Sequence, residues 1–198
     1  LPAWAMGCGP SAQLRNATRV EPNPPNGGQS RAESSTAHNA KAKRPEDLDF
    51  TVLRGRKKRC LIPLTEDRGI CPFQLRSLLD FMASHTHAGC NWTTADRAGD
   101  LLVGWHDCRD EGTEFTELHL RDINLYNVVH WVVKPSTKAD RCSFVELIAH
   151  DAHTQKPKWF VSHWCGEPVA DFVRCIEAHK TLRRLPDTTG YWVYIYAM

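Results

Sequence analysis

The chain has 198 residues, 41% of them hydrophobic, and a formal net charge of +2 at pH 7. That length has room for one domain with extensions, and a charge so near neutrality gives no reason by itself to expect nucleic acid. No apolar run approaches the roughly 18 residues that would suggest a spanning helix.

The first motif stands at Met6, which opens "MGCGPS". This fits the N-myristoylation pattern, with Gly7 as the acylated amine and Cys8 as a neighbouring palmitoylation site. The reading requires Met6 to be the true start, with "LPAWA" ahead of it an extension. One myristoyl chain binds a bilayer only marginally, so a second chain or a basic stretch is needed for stable attachment. Residues 1–47 otherwise read as a disordered leader, because Pro, Asn, Gly, Ser and Ala dominate and no apolar periodicity survives.

Residues 48–121 form a less defined α+β segment. "DFTVL" (49–53) and "CLIPL" (60–64) are expected as short strands, separated by a basic cluster of Arg54, Arg56, Lys57, Lys58 and Arg59. Near an anionic leaflet each such charge adds about 1 kcal/mol; the competing readings are a nuclear-import or nucleic-acid patch and a plain solvated charge run. From Pro72 the pattern turns helical, with Leu75, Leu78, Leu79 and Met82 on one face. Residues 85–100 read as loop and "LLVGWHDC" (101–108) as a strand, while "EGTEFTELHL" (111–120) alternates only weakly.

In 122–198 a helix is expected over "DINLYNVVHWVVKP", capped by Asp122 or Asn124 and stopped by Pro135. "SFVE" (143–146) has the form of a capping box before a third short helix. "KWFVSH" reads as a buried strand. Pro168 opens a helix with Val169, Phe172, Val173 and Ile176 as its stripe, "PDTTG" turns, and "YWVYIYAM" reads as a second strand. Strand, helix, strand is a βαβ unit and implies a parallel sheet. The chain then stops inside that strand, so the sheet is expected to be truncated unless earlier segments complete it.

Ser162, His163, Cys165 and Glu167 would stand at the carboxyl end of the first strand, where ligands bind in parallel sheets. Free N–H groups before Val169 and Ala170 would favour an anion. His163 could serve as acid or base and Cys165 as a nucleophile if its pKa were lowered; the alternative is a polar structural corner. His85, His87, Cys90, His106 and Cys108 are the residues from which a zinc set would be drawn, but no paired-Cys spacing repeats and no metal or other cofactor is expected. The eight cysteines, with no CxxC pair and no secretory signal, point to free thiols in a reducing, cytoplasmic setting.

"PKWFVSHWCGEPVADFVRCIEAH" with "YWVYIYA", and upstream "INLYNVVHWVVKPST" and "CSFVELIA", resemble a protist family marked by W-F-V-S-H-W-W-G-E-P. The resemblance covers residues 122–198 and departs from the pattern at Cys165, where that family has Trp. More distantly, "FVSHW" resembles the first strand and loop of TIR-like domains, which implies a flavodoxin-like α/β fold. Such domains assemble as signalling adaptors or cleave NAD with a glutamate on a later helix, a role not carried over to Glu167. The expected function is thus a lipid-anchored signalling or protein-assembly module with protein partners. An NAD- or nucleotide-binding enzyme and a basic-patch nucleic-acid binder are the alternatives.

Overall fold

The computed structural model describes residues 6–7, 43–54, 58–87, 89–109 and 115–198. Most of the leader, Cys8, Arg56 and Lys57 therefore lie outside the described residues. The architecture is mixed α/β. A four-stranded sheet has the order β1 (Met6–Gly7), β5 (Pro157–Ser162), β6 (Gly190–Trp192), β2 (Gly69–Ile70). β1 and β6 run parallel to β5, whereas β2 is antiparallel to β6. A separate antiparallel pair joins β3 (Leu101–His106) to β4 (Glu117–His119).

The expected helix from Pro72 is α1 (Pro72–Ala83), with Leu75, Leu78, Leu79 and Met82 fully buried. Burying each such side chain is worth about 1.5–3 kcal/mol relative to leaving it in water. The stripe of α5 (Val169–Leu182) is likewise buried at Val169, Phe172, Val173 and Ile176. These two helices pack together and are tied at their rims by Arg76, which reaches Glu177 and Asp187. One hydrophobic cluster runs from Leu48 to Tyr196, so the middle segment and the C-terminal segment share a core.

Pro135 does not stop its helix. A helical rod continues through α2 (Leu125–Val128), a π turn at Val129–Val133 and α3 (Lys134–Lys138). Proline lacks an N–H, and its ring clashes with the carbonyl four residues back. The chain widens one turn instead, and Lys134 N–H reaches the Val129 carbonyl, five residues away. Thr137 Oγ1 then donates to the Val133 carbonyl at 2.7 Å. The start is capped as expected by Asn124, whose side chain accepts from Asn127 N–H at 3.1 Å.

Three expected strands are corrected. "DFTVL" is a turn, because the Asp49 carboxylate accepts from Thr51 N–H at 2.9 Å and curls the chain locally. "CLIPL" pairs with no strand; its Cys60 and Ile62 N–H groups go to the Glu146 carbonyl and carboxylate at 2.9 and 3.1 Å. "YWVYIYAM" is a strand only to Trp192, followed by a helical turn, α6 (Tyr194–Ala197). Ile195, Tyr196 and Ala197 are buried in succession, a pattern that strand alternation cannot give on one face. The chain therefore does not stop inside a strand, and β2 and β1 from earlier segments flank the β5–β6 pair.

The capping box is present. α4 (Phe144–Ile148) starts with Ser143 Oγ accepting from Glu146 N–H at 3.2 Å while Glu146 accepts from Ser143 N–H at 3.0 Å. Glu146 also binds Arg68 at 3.4 Å, and Arg68 donates to the carbonyls of Ile62 and Ala197 at 2.9 and 3.0 Å. Burial works against the Glu146 charge, but the N–H donors of Ser143 and Ile62 and the Arg68 guanidinium outweigh it and hold the carboxyl below its ordinary value. This stabilisation is present above the unfolded carboxyl pKa and is lost as pH falls through the depressed folded one. Glu146→Ala leaves the Arg68 guanidinium without its counter-ion and the Ser143 and Ile62 N–H groups without their acceptor, and urea unfolding of the full chain should show a loss of about 3–5 kcal/mol; a loss below about 1 kcal/mol would mean that solvent reaches the pair.

Candidate functional site

β5 alternates in burial. Trp159 and Val161 turn toward α5, while Lys158, Phe160 and Ser162 are exposed. The expectation of a fully buried strand is thus corrected to a half-buried one. Trp159 packs edge-on against His179, with the Arg183 guanidinium 5.8 Å from its ring centre. After Ser162 the chain makes a tight corner, closed by Glu167 N–H donating to the Trp164 carbonyl at 3.1 Å. Gly166 permits the Trp164 ring to fold back over the corner, since a Cβ there would lie 2.4 Å from the ring.

The corner is sewn to the start of α2. Leu125 N–H donates to the Cys165 carbonyl at 3.0 Å and Val169 N–H to the Ile123 carbonyl at 2.8 Å. Val169 N–H is therefore not free for an anion, which corrects that expectation. Asp171 N–H and Phe172 N–H turn back to the Pro168 carbonyl, and two carboxylates, Glu167 and Asp171, crowd the same helix end. An incoming phosphate would meet like charge there.

The structure does bring His163 and Cys165 together, with Nε2 and Sγ 3.8 Å apart. The His163 ring also rests against Phe172, centre to centre 5.4 Å. Burial lowers the His163 pKa, with the Val161 carbonyl as the counterweight. Burial and the Glu167 charge raise that of the Cys165 thiol, and burial and Asp171 raise that of Glu167. Thiol and imidazole are each pushed toward their neutral forms, the reverse of an activated thiolate–imidazolium pair. Cys165 also packs on the hydrophobic core beneath it. Ser162 faces solvent on the side of β5 away from α5. His163 and Cys165 thus sit in a knitted corner that holds both toward their neutral forms beside the Glu167 carboxyl.

The other expected groups are dispersed. Arg54 pairs with Asp140 at 2.8 Å and Arg59 donates to the carbonyls of Asp140 and Arg141, so two of the five clustered cations serve the fold; Lys58 is exposed. His85 Nδ1 lies 2.8 Å from the Phe81 carbonyl, and His106 stacks edge-on against Trp131. The backbone N–H groups of His87, Cys90 and Cys108 go to Leu101, Thr86 and Asn127. Among the described residues no three His, Cys, Asp or Glu side chains converge as a metal set. Gly7 lies in β1, its backbone beside Ser162. Among the described residues no helix is long and apolar enough to cross a membrane.

Motif reading missed the aromatic side of β5. Phe160 stacks on Trp192, centres 5.1 Å apart and planes at 17°, and Tyr194 meets Trp192 edge-on at 6.4 Å. Phe160, Tyr194 and Trp164 are 47%, 57% and 68% exposed. The signal was present as period-two alternation in "KWFVS". No protein-family model, curated protein or solved structure matches the chain.

The raised pKa of the Cys165 thiol has a measurable consequence. Alkylation of Cys165 by iodoacetamide, followed peptide by peptide in the mass spectrometer, should rise only above the ordinary thiol pKa of about 8.5. Glu167→Gln should move that inflection down. Rapid labelling of Cys165 at neutral pH is the outcome incompatible with a raised thiol pKa.

Proposed function

We propose that the chain is a non-catalytic assembly module of the TIR-like, flavodoxin-related kind, joining a like domain through the open face of its sheet. The observation that carries this reading is the Phe160–Trp192–Tyr194 row. Phe160, on the side of β5 away from α5, and Tyr194, in the helical turn just after β6, stand about half in water on either side of Trp192. Aromatic side chains held rigid by stacking are the usual anchors of protein interfaces. The parallel β5–α5–β6 unit supports the kinship with TIR-like folds. The neutral His163–Cys165 pair supports assembly over chemistry.

The partner is a second copy. Sedimentation velocity of the full chain should show a coefficient that rises with concentration. The doubly substituted Phe160→Ser, Tyr194→Ser chain, with an unchanged circular dichroism spectrum, should stay monomeric. A wild-type chain that remains monomeric throughout ends this reading. Thermal stabilisation by NAD that disappears in His163→Ala would favour the nucleotide-binding alternative instead.

The membrane side of the reading rests on the "MGCGPS" motif alone. Co-expressed from Met6 with a myristoyltransferase, the chain should gain one myristoyl mass at Gly7 and partition into vesicles, and Gly7→Ala should abolish both. An unmodified Gly7 removes the anchor from the proposal.

A further inference from the structure

A cleft of about 520 Å³ opens at the start of β5, at the opposite end of that strand from the 163–168 corner. One wall is the chain entering β5, from His153 to Lys158; the other is the turn that leads into β6, from Pro186 to Gly190. The two walls are tied together. The thiol of Cys71, which is fully buried, lies 3.4 Å from the Thr188 carbonyl and 3.8 Å from that of Thr154. Gly190 lets the strands close, since a Cβ there would lie 2.8 Å from the Lys156 carbonyl oxygen. The volume falls within the roughly 300–1,000 Å³ of small-molecule sites.

Pro157 and Pro186 give each wall a hydrocarbon surface, and two ammonium groups, those of Lys156 and Lys158, join them from exposed positions. Pro157 pairs with Gly190 and Trp159 with Tyr191, so Lys158 is an extra residue between two consecutive pairings. A bulge of this kind bends the strand and re-aims a side chain, and bulges are frequent beside active sites. Lys158 has no ion-pair partner among the described residues, and Lys156, its side chain 76% exposed, has Asp67 at 3.8 Å. Among the described residues no carboxylate lines the cleft. Asp187, between Pro186 and Thr188 in sequence, is engaged by Arg76 and Lys180 instead.

We propose that this cleft binds a small phosphate monoester, its phosphate on Lys156 and Lys158 and its apolar body between Pro157 and Pro186. A phosphate monoester carries about 1.5–2 negative charges near neutral pH, which two ammonium groups balance. An ammonium is a compact point charge that meets a phosphate from any side, whereas a planar carboxylate is matched best by a guanidinium fork. No arginine lines the cleft among the described residues. Both lysines are open to solvent, so a ligand reaches them without any movement of the fold. The site does not rest on the assembly reading, which uses Phe160 and Tyr194.

Phenyl phosphate is the probe, with inorganic phosphate and phenol as its two halves, each titrated into the full isotope-labelled chain and followed by NMR. Phenyl phosphate should saturate with shifts centred on the backbone amides of Thr188, Thr189 and Gly190, and each half should bind more weakly. Lys158→Gln, at an exposed position, should weaken phenyl phosphate by about tenfold or more, the effect of one hydrogen bond to a charged group, and leave phenol unchanged. Lys138→Gln, at an exposed position of α3 outside the cleft, should change nothing. The Phe160→Ser, Tyr194→Ser chain should bind phenyl phosphate as the wild type does, even where it no longer self-associates. Shifts scattered over the surface, an absence of saturation, or equal affinity in folded Lys158→Gln would overturn the assignment. So would an equal loss in Lys138→Gln, or a loss in the Phe160→Ser, Tyr194→Ser chain.

Discussion

The carboxylate of Glu146 is the point through which distant parts of this chain hold one another. It caps its own helix, takes the N–H of Ile62, and faces Arg68, whose guanidinium reaches the carbonyl of Ala197. Residues 60–68 are also held by main-chain carbonyls, Cys60 N–H donating to that of Glu146 at 2.9 Å and Trp192 Nε1 to that of Thr65 at 2.9 Å, while the apolar contacts around them are non-directional. The carboxylate–guanidinium pair adds direction. Both groups are largely withdrawn from water, so each depends on the other for its charge to be tolerated. The sheet edge at β2, which follows Arg68 directly, is positioned by the same clasp.

A second buried carboxylate does similar service on the far side. Asp100 has no exposed surface and is gripped by His119 at 2.6 Å and by Arg121. Burial disfavours its charge, yet the two basic partners bring its pKa below the ordinary value. The β3–β4 pair and the loop before it are locked in this way to the start of α2, against which the 163–168 corner leans. The corner is shaped by demands of framework. His163 and Cys165 meet because the turn is tight, and burial then keeps both neutral.

What was legible in the sequence follows from local rules. Leu75, Leu78, Leu79 and Met82 declare α1 because their spacing needs no partner to be read, and Ser143 with Glu146 declares the start of α4. What was not legible depended on contacts far apart in the chain. The two residues of β2 become a strand only because Tyr191 and Trp192 lie beside them. The aromatic and β-branched run 191–198 has high strand propensity, but the Tyr196 ring packs on Phe144 at 5.7 Å and tertiary packing prevails. Of the candidate site, the residues that come together were foreseen, but their protonation and the occupied Val169 N–H required the neighbours at Ile123 and Glu167.

The widened turn around Trp131 has a consequence for the rod that contains it. A regular α-helix rotates about 100° per residue, from its 3.6 residues per turn, and a π turn takes in an extra residue. The portions before and after it are therefore out of phase with each other. Trp131 can stack on Trp105 at 4.8 Å, with its indole N–H on the His106 carbonyl at 2.8 Å, while α3, which carries Pro135, packs against α4 and buries Ser136. A single continuous rod thereby serves two neighbours with faces set out of register, and the change of bearing is complete just before the proline that the pattern reads as an ending.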